Sequence, residues 1–221
     1  MKFLQLSQQS KTLLILTGLS LATVVARIFA TEDILYLFLI WNLFLAALPY
    51  TFAKITARHA KPKNLGLRAM LLLGFWLLFL PNSFYIVTDL IHLKRSQSHL
   101  IYFDLLMIAS FAITGLMYGY YSIQVISKTM ASYWNKTTLS LATLAVYLLC
   151  GFGIYLGRVL RWNSWDIITQ PAQLFRDIAV IVLNPLSHLQ SWGITIGFGV
   201  FLYTLHLVMQ RYSIAVGSKN L

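Results

Sequence analysis

Apolar runs close to twenty residues long recur along most of this chain, and that recurrence leaves few folds open to it. A run of that length can cross the hydrocarbon core of a bilayer as an α-helix, whose backbone groups pair within the segment. A β-barrel would read as short alternating stretches, and these runs are continuous. The chain is 58% hydrophobic and 10% charged, whereas soluble domains run near a quarter charged. The expected fold is all-α: a polytopic transmembrane helical bundle of about six spans, in a single integral membrane domain over 1–221. Spans are expected at about 12–29, 34–53, 67–88, 100–125, 138–157 and 190–209, the third with a break at Pro81-Asn82.

One apolar stretch is too short to cross. Pro171 to His188 begins with a proline suited to a first helical position. Leu174, Ile178, Ile181, Val182 and Leu186 recur at helical spacing, and Asn184-Pro185 should stop the helix. It reads as an amphipathic helix over about 171–185, lying on the outer surface. A loop helix packed on the bundle is the plain alternative.

Charge sets the expected orientation. The loop after the second span holds Lys54, Arg58, Lys61, Lys63 and Arg68 without an acid, which marks it as cytoplasmic. An even number of spans then puts both termini inside, in a bacterial plasma membrane. The inner side collects those five with Lys2, Lys11, Lys128, Lys136, Arg211 and Lys219. The outer side collects all six acids, Glu32, Asp33, Asp89, Asp104, Asp166 and Asp177, with Arg27, Lys94, Arg95, Arg158, Arg161 and Arg176. The net charge of +11 does not point to nucleic acid, because the basic residues sit between apolar runs and not on an aromatic-interleaved face. Lys2 and Lys11 ahead of an apolar stretch would also suit a signal peptide cleaved after Ala26 or Ala30. The absence of a clean small-x-small ending argues against that.

Three polar stretches converge on the outer half. Asp89 and His92 stand three residues apart beyond the Pro81 break. A carboxylate beside an imidazole can relay a proton, orient the ring or supply two metal ligands. Hydrated residues at the point where a helix leaves lipid would look the same. Asp104 lies about one turn inside the fourth span, where an ionisable group is expensive and usually faces the interior or a wet cavity. It should pair with a cation, and Arg158 is expected at similar depth. These three are the catalytic candidates.

The third stretch is Gly157-Arg158-Val159-Leu160-Arg161-Trp162-Asn163-Ser164-Trp165-Asp166. Arg158 and Arg161, three apart at a helix end, could offer two guanidinium forks to a phosphate or carboxylate. Arg158, Arg161, Asn163 and Asp166 are the anion-binding candidates, and an anionic lipid headgroup is the ligand they suggest. Snorkelling arginines, an aromatic belt from Trp162 and Trp165, and a cap from Asp166 or Ser164 are the plain account. No tight metal-ligand spacing and no phosphate-cradling glycine loop or nucleophile elbow is present, so no metal site and no cofactor is assigned.

Elsewhere the signals are structural. Gly115 and Gly119, Gly153 and Gly157, and Gly193 and Gly197 are spaced for close helix packing within the chain, or for a homo-oligomer or another membrane partner. Asn42 should hydrogen-bond across helices, and Cys150, alone and mid-span, should pack. His188 could join the outer polar group, whereas His206 reads as a packing residue. The sequon at Asn135 falls on the expected inner side.

Three of these stretches together resemble a known family. They are Trp41-Asn42-Leu43-Phe44-Leu45-Ala46-Ala47-Leu48-Pro49, the run from Leu80 through Pro81-Asn82-Ser83-Phe84-Tyr85 to Asp89-Leu90-Ile91-His92-Leu93, and Gly157 to Asp166. The chain is similar over nearly its whole length to the bacterial integral membrane proteins grouped as domain of unknown function 1361. The resemblance implies a small bacterial polytopic membrane protein and carries no activity with it. Three function classes follow from the residues: an enzyme on an anionic lipid or lipid-linked substrate, a structural or assembly partner, and a small transporter. The transporter is disfavoured because the inner halves of the spans are nearly bare of polar groups.

Overall fold

A computed structural model describes residues 7–61, 65–96 and 98–217, without the side chains of Arg95, Ser98 and 212–217. Lys2, Lys63 and Lys219 of the inner-side inventory lie outside the described residues. Eight α-helices occur among them: α1 (Gln8–Thr31), α2 (Phe38–His59), α3 (Gly66–Tyr85), α4 (Ile101–Met130), α5 (Lys136–Arg158), the single turn α6 (Asp166–Thr169), α7 (Pro171–Leu183) and α8 (Leu189–Gly217). Six stretches are long and apolar enough to cross a membrane: Gln8–Thr31, Leu35–His59, Gly66–Lys94, Ile101–Met130, Lys136–Arg158 and Pro185–Arg211. The fold is an all-α polytopic bundle, and the segment Pro171–Leu183 is helical as the spacing required.

The chain divides into two compact units, Met1–Thr129 and Met130–Leu221. In the first, α1 and α4 are joined by a series of polar crossings. Gln9 donates to Gln124 at 2.9 Å, Thr17 meets Tyr118 at 3.0 Å, Ser20 meets Thr114 at 3.0 Å, and Arg27 meets Asp104 at 2.6 Å. Numbers rise along α1 as they fall along α4, so the two run antiparallel in a fixed register. Lipid offers no apolar drive between helices, and polar pairs of this kind hold the register instead. Between these helices and α2 lies a dry core of Val24, Leu39, Leu43, Ile86, Met107 and Phe111.

Proline does not end the third span. α3 continues through Pro81 to Tyr85, and the ladder then tightens to a 3₁₀ helix over Ile86–Arg95. The expected break therefore lies five residues further on. Two side chains beside the proline bond to backbone carbonyls. Asn82 donates to the Phe79 carbonyl at 3.0 Å, and Ser83 reaches across to the Ala46 carbonyl at 2.7 Å. Ala46 follows Leu45, the residue whose carbonyl Pro49 deprives of its helical donor, so the Ser83 hydroxyl ties α3 to α2 close to the proline of each helix. Close approach completes the packing: a Cβ on Gly115 would stand 2.6 Å from the Ser83 carbonyl, and one on Gly119 2.5 Å from the Phe84 ring.

In the second unit α5 packs along α8. The contact runs through Gly151, which lies against the Thr195 carbonyl, and Gly199, which lies against Tyr147 and Leu148. Gly193 and Gly197, expected as packing glycines, instead have nothing within 4 Å of a Cβ built on them, and both are exposed. Glycines 151 and 199 do that work and lie on different helices, where spacing along one helix could not reveal them. Asn135 caps α5, its carboxamide oxygen accepting the Thr138 N–H at 2.8 Å. Tyr147 meets His206 at 3.1 Å inside the same helix pair, and Cys150 is buried.

Candidate functional site

The polar residues at one end of the first unit form two groups of different character. The first is built on the 3₁₀ segment. At three residues per turn, side chains at i and i+3 lie one above the other, so Asp89 and His92 are eclipsed along it. His92 Nε2 stands 3.8 Å from Asp89 Oδ1. That is an ion-pair distance and longer than a direct hydrogen bond. Asp89 is 1% exposed and His92 22%. Asn42 of α2 fixes the carboxylate by donating to Oδ2 at 2.8 Å, the cross-helix bond expected of it. Phe38 meets the imidazole edge-on, with ring centroids 4.9 Å apart. The result is a buried carboxylate of fixed orientation below a partly accessible imidazole.

The second group centres on Asp104, whose side chain is fully buried. Its cation is Arg27 of α1 and not Arg158. Arg27 Nε donates to Oδ1 at 2.6 Å, and Nη2 approaches Oδ2 at 3.5 Å. Tyr36 donates to Oδ2 at 3.0 Å and Ser96 at 2.5 Å. Arg27 also donates to Thr31 and lies over the Tyr36 ring, 5.6 Å from its centroid. Charge and hydrogen bonds on this carboxylate thus come from α1, the segment before α2, and the loop before α4. Such an arrangement pins four chain segments together. Arg27, Tyr36 and Ser96 were not legible as members: Arg27 ends an apolar run much as any snorkelling arginine does, and only the register of α1 on α4 brings it to Asp104.

The anion-binding candidates belong to the second unit. α5 ends at Arg158, which is half-buried. Arg161 lies beyond the helix in the left-handed region, at φ 63°. Helical i, i+3 geometry therefore does not relate the two arginines, and they do not share a helix face as the spacing suggested. Asp166 closes the loop that follows: its Oδ2 accepts the Asn163 N–H at 2.7 Å and its Oδ1 accepts the Thr169 hydroxyl at 2.9 Å. The Asn163 amide holds the Asp166 carboxyl below its usual range, aided by Thr169 and the Asn163 side chain against the effect of burial. Trp162 ties the loop to α7 by donating to Asp177 at 3.0 Å. Arg161 and Asn163 are exposed. On α7, Leu174 and Ile181 are buried while Phe175, Val182 and Leu183 are exposed, so apolar side chains cover two of its faces. Among the described residues no group of three or more His, Cys, Asp or Glu side chains gathers as a metal site would, Asp89, His92, Asp104 and His188 included.

A family model described as "Protein of unknown function (DUF1361)" matches residues 41–205. The match covers most of the chain, and the chain belongs to this family. No curated protein and no solved structure is found to be similar to it.

Proposed function

We propose that this member of the family is a multi-pass protein of the bacterial plasma membrane, with both termini cytoplasmic, that does acid–base chemistry on an anionic lipid or lipid-linked substrate at its extracytoplasmic face. Asp89 and His92 carry the chemistry. His92 exchanges a proton with the substrate, and Asp89 orients the ring and balances the imidazolium that forms. The observation behind this reading is the asymmetry of the pair, a buried carboxylate locked by Asn42 beneath an imidazole that reaches the surface. The 3.8 Å separation is one that binding of substrate can shorten, as catalytic contacts commonly tighten in the bound complex. Asp104 belongs to the architecture, because Arg27, Tyr36 and Ser96 already occupy its oxygens. Arg158, Arg161 and Asn163 remain candidates for a headgroup in the second unit, with Asp166 shaping their loop.

Lipid profiling of a deletion strain tests this. A lipid or lipid-linked species should accumulate, and the wild-type chain should clear it. Asp89→Asn and His92→Gln should fail to clear it at wild-type abundance. Clearance by either variant refutes the assignment. An alternative reading, a docking partner for another membrane protein, is favoured by the open Gly193–Gly197 face. In that case Gly193→Leu should abolish function while His92→Gln leaves it intact.

A further inference from the structure

Hydroxyl groups inside the spans of this chain follow a habit. Thr56, Thr114, Thr129 and Thr143 each donate to the carbonyl four residues back, at 2.7–2.9 Å. That is the low-cost way to bury a hydroxyl in a helix. The first turns of α8 break the habit. Ser191 Oγ, Thr195 Oγ1 and the Trp192 indole N–H are all buried and meet no partner within the protein. Ser191 is 0% and Thr195 5% exposed. A buried donor left unmade is costly, more so than a hydrogen bond is favourable, and three on five consecutive residues are not an ordinary packing defect.

Their placement indicates what they await. Thr195 and Gly199 lie on the row of α8 that meets Gly151 of α5, and Ser191 continues that row by one turn. Trp192 stacks on Phe152, with centroids 6.5 Å apart and planes 25° off parallel. Following the antiparallel register outward sets Ser191 at the level of Tyr155 and the start of α8 near the level of Arg158. The three groups thus lie just inside the turn that carries a guanidinium. All three are hydrogen-bond donors, and positive charge stands one turn away.

We propose that the α5–α8 end of the second unit is a binding site for phosphate oxygens, entered from the membrane surface past Arg158, with Ser191, Trp192 and Thr195 as its inner donors. This inference stands apart from the role given to Asp89 and His92, and either can fail alone.

The test uses the full chain, purified in a zwitterionic detergent, with its unfolding temperature read against three additions: inorganic phosphate, phosphatidic acid, and a diacylglycerol of the same acyl chains. Phosphatidic acid should raise the temperature and diacylglycerol should not. A rise with inorganic phosphate as well would identify the free anion as a sufficient ligand. Ser191→Ala with Thr195→Val should be as stable as the wild type or more so without ligand, yet lose the response, with apparent affinity falling roughly tenfold per donor removed. Thr195→Ser should retain it, and Trp192→Phe should weaken it. Equal responses to phosphatidic acid and diacylglycerol, no response to either phosphate, or a response that survives the double variant would each overturn the site.

Discussion

Removing both members of the Arg27–Asp104 pair should destabilise the protein by clearly less than the two single removals added together. Asp104 is fully buried and Arg27 is 3% exposed, so whichever ion remains is stranded out of reach of water. Breaking a buried pair on one side costs about 3–5 kcal/mol, because a charge is left uncompensated. The two single changes are not equal. Arg27→Met leaves Asp104 with two donors, Tyr36 and Ser96, and should fall near the lower figure. Asp104→Leu strands the guanidinium and also takes the acceptor from both hydroxyls, at roughly 1 kcal/mol or more for each, so it should reach or pass the upper figure. With both changes no charge is left behind, and the coupling should return about 2 kcal/mol or more relative to the sum of the singles. Unfolding by SDS in mixed micelles, followed by far-UV circular dichroism, measures each member of the cycle. A double variant as unstable as the sum of the two would refute the pairing, and so would an Arg27→Met cost under about 1 kcal/mol, within the usual range for an exposed pair.

Other perturbations follow from local geometry. Gly115→Ala would put a Cβ 2.6 Å from the backbone carbonyl of Ser83, which cannot swing away, and should cost about 1–3 kcal/mol in the same titration. For Gly119→Ala the nearest obstacle is the Phe84 ring, so comparing the two separates a rigid obstacle from one that can turn. Asp166 titrates below its ordinary value of 3.8 because the folded loop favours its charged form. Its contribution is therefore present above that value and lost as pH falls through the lower, folded one. Trp162 and Trp165 emission should change in that acid window, and Asp166→Asn should abolish the transition. Thr88→Ala removes the hydroxyl that donates to the Tyr85 carbonyl at 2.6 Å, a bond matched to 3₁₀ pitch. It should reduce whatever activity His92 supports with little change in stability.

The spans were legible because burial in lipid is written in composition, and each expected run appears as a helix with ends moved by up to eight residues. What sequence could not carry was contact between helices. Asp104 advertised its need for a cation, yet depth along the spans pointed to Arg158, and only the setting of α1 against α4 brings Arg27 to it. Pro81 predicted a broken ladder from a local rule, yet α3 runs on through it to Tyr85, with Asn82 bonded within the helix and Ser83 across to α2. The arginines at 158 and 161 looked like neighbours on a helix that in fact ends at the first of them. Asp89 and His92 were found by their spacing, though the reason for their eclipse, a 3₁₀ and not an α segment, was invisible.

That segment carries a mechanical implication. Ten residues wound at about 2.0 Å per residue reach roughly 5 Å further than the same ten at about 1.5 Å. Rewinding Ile86–Arg95 to the wider coil would shorten the tether to α4 and turn residue 92 by about 60° relative to residue 89, since three steps make a full revolution in one winding and five-sixths of one in the other. Stretching or slackening this strand of backbone is thus a dial on the alignment of carboxylate and imidazole, and any force that pulls on the loop before α4 turns it.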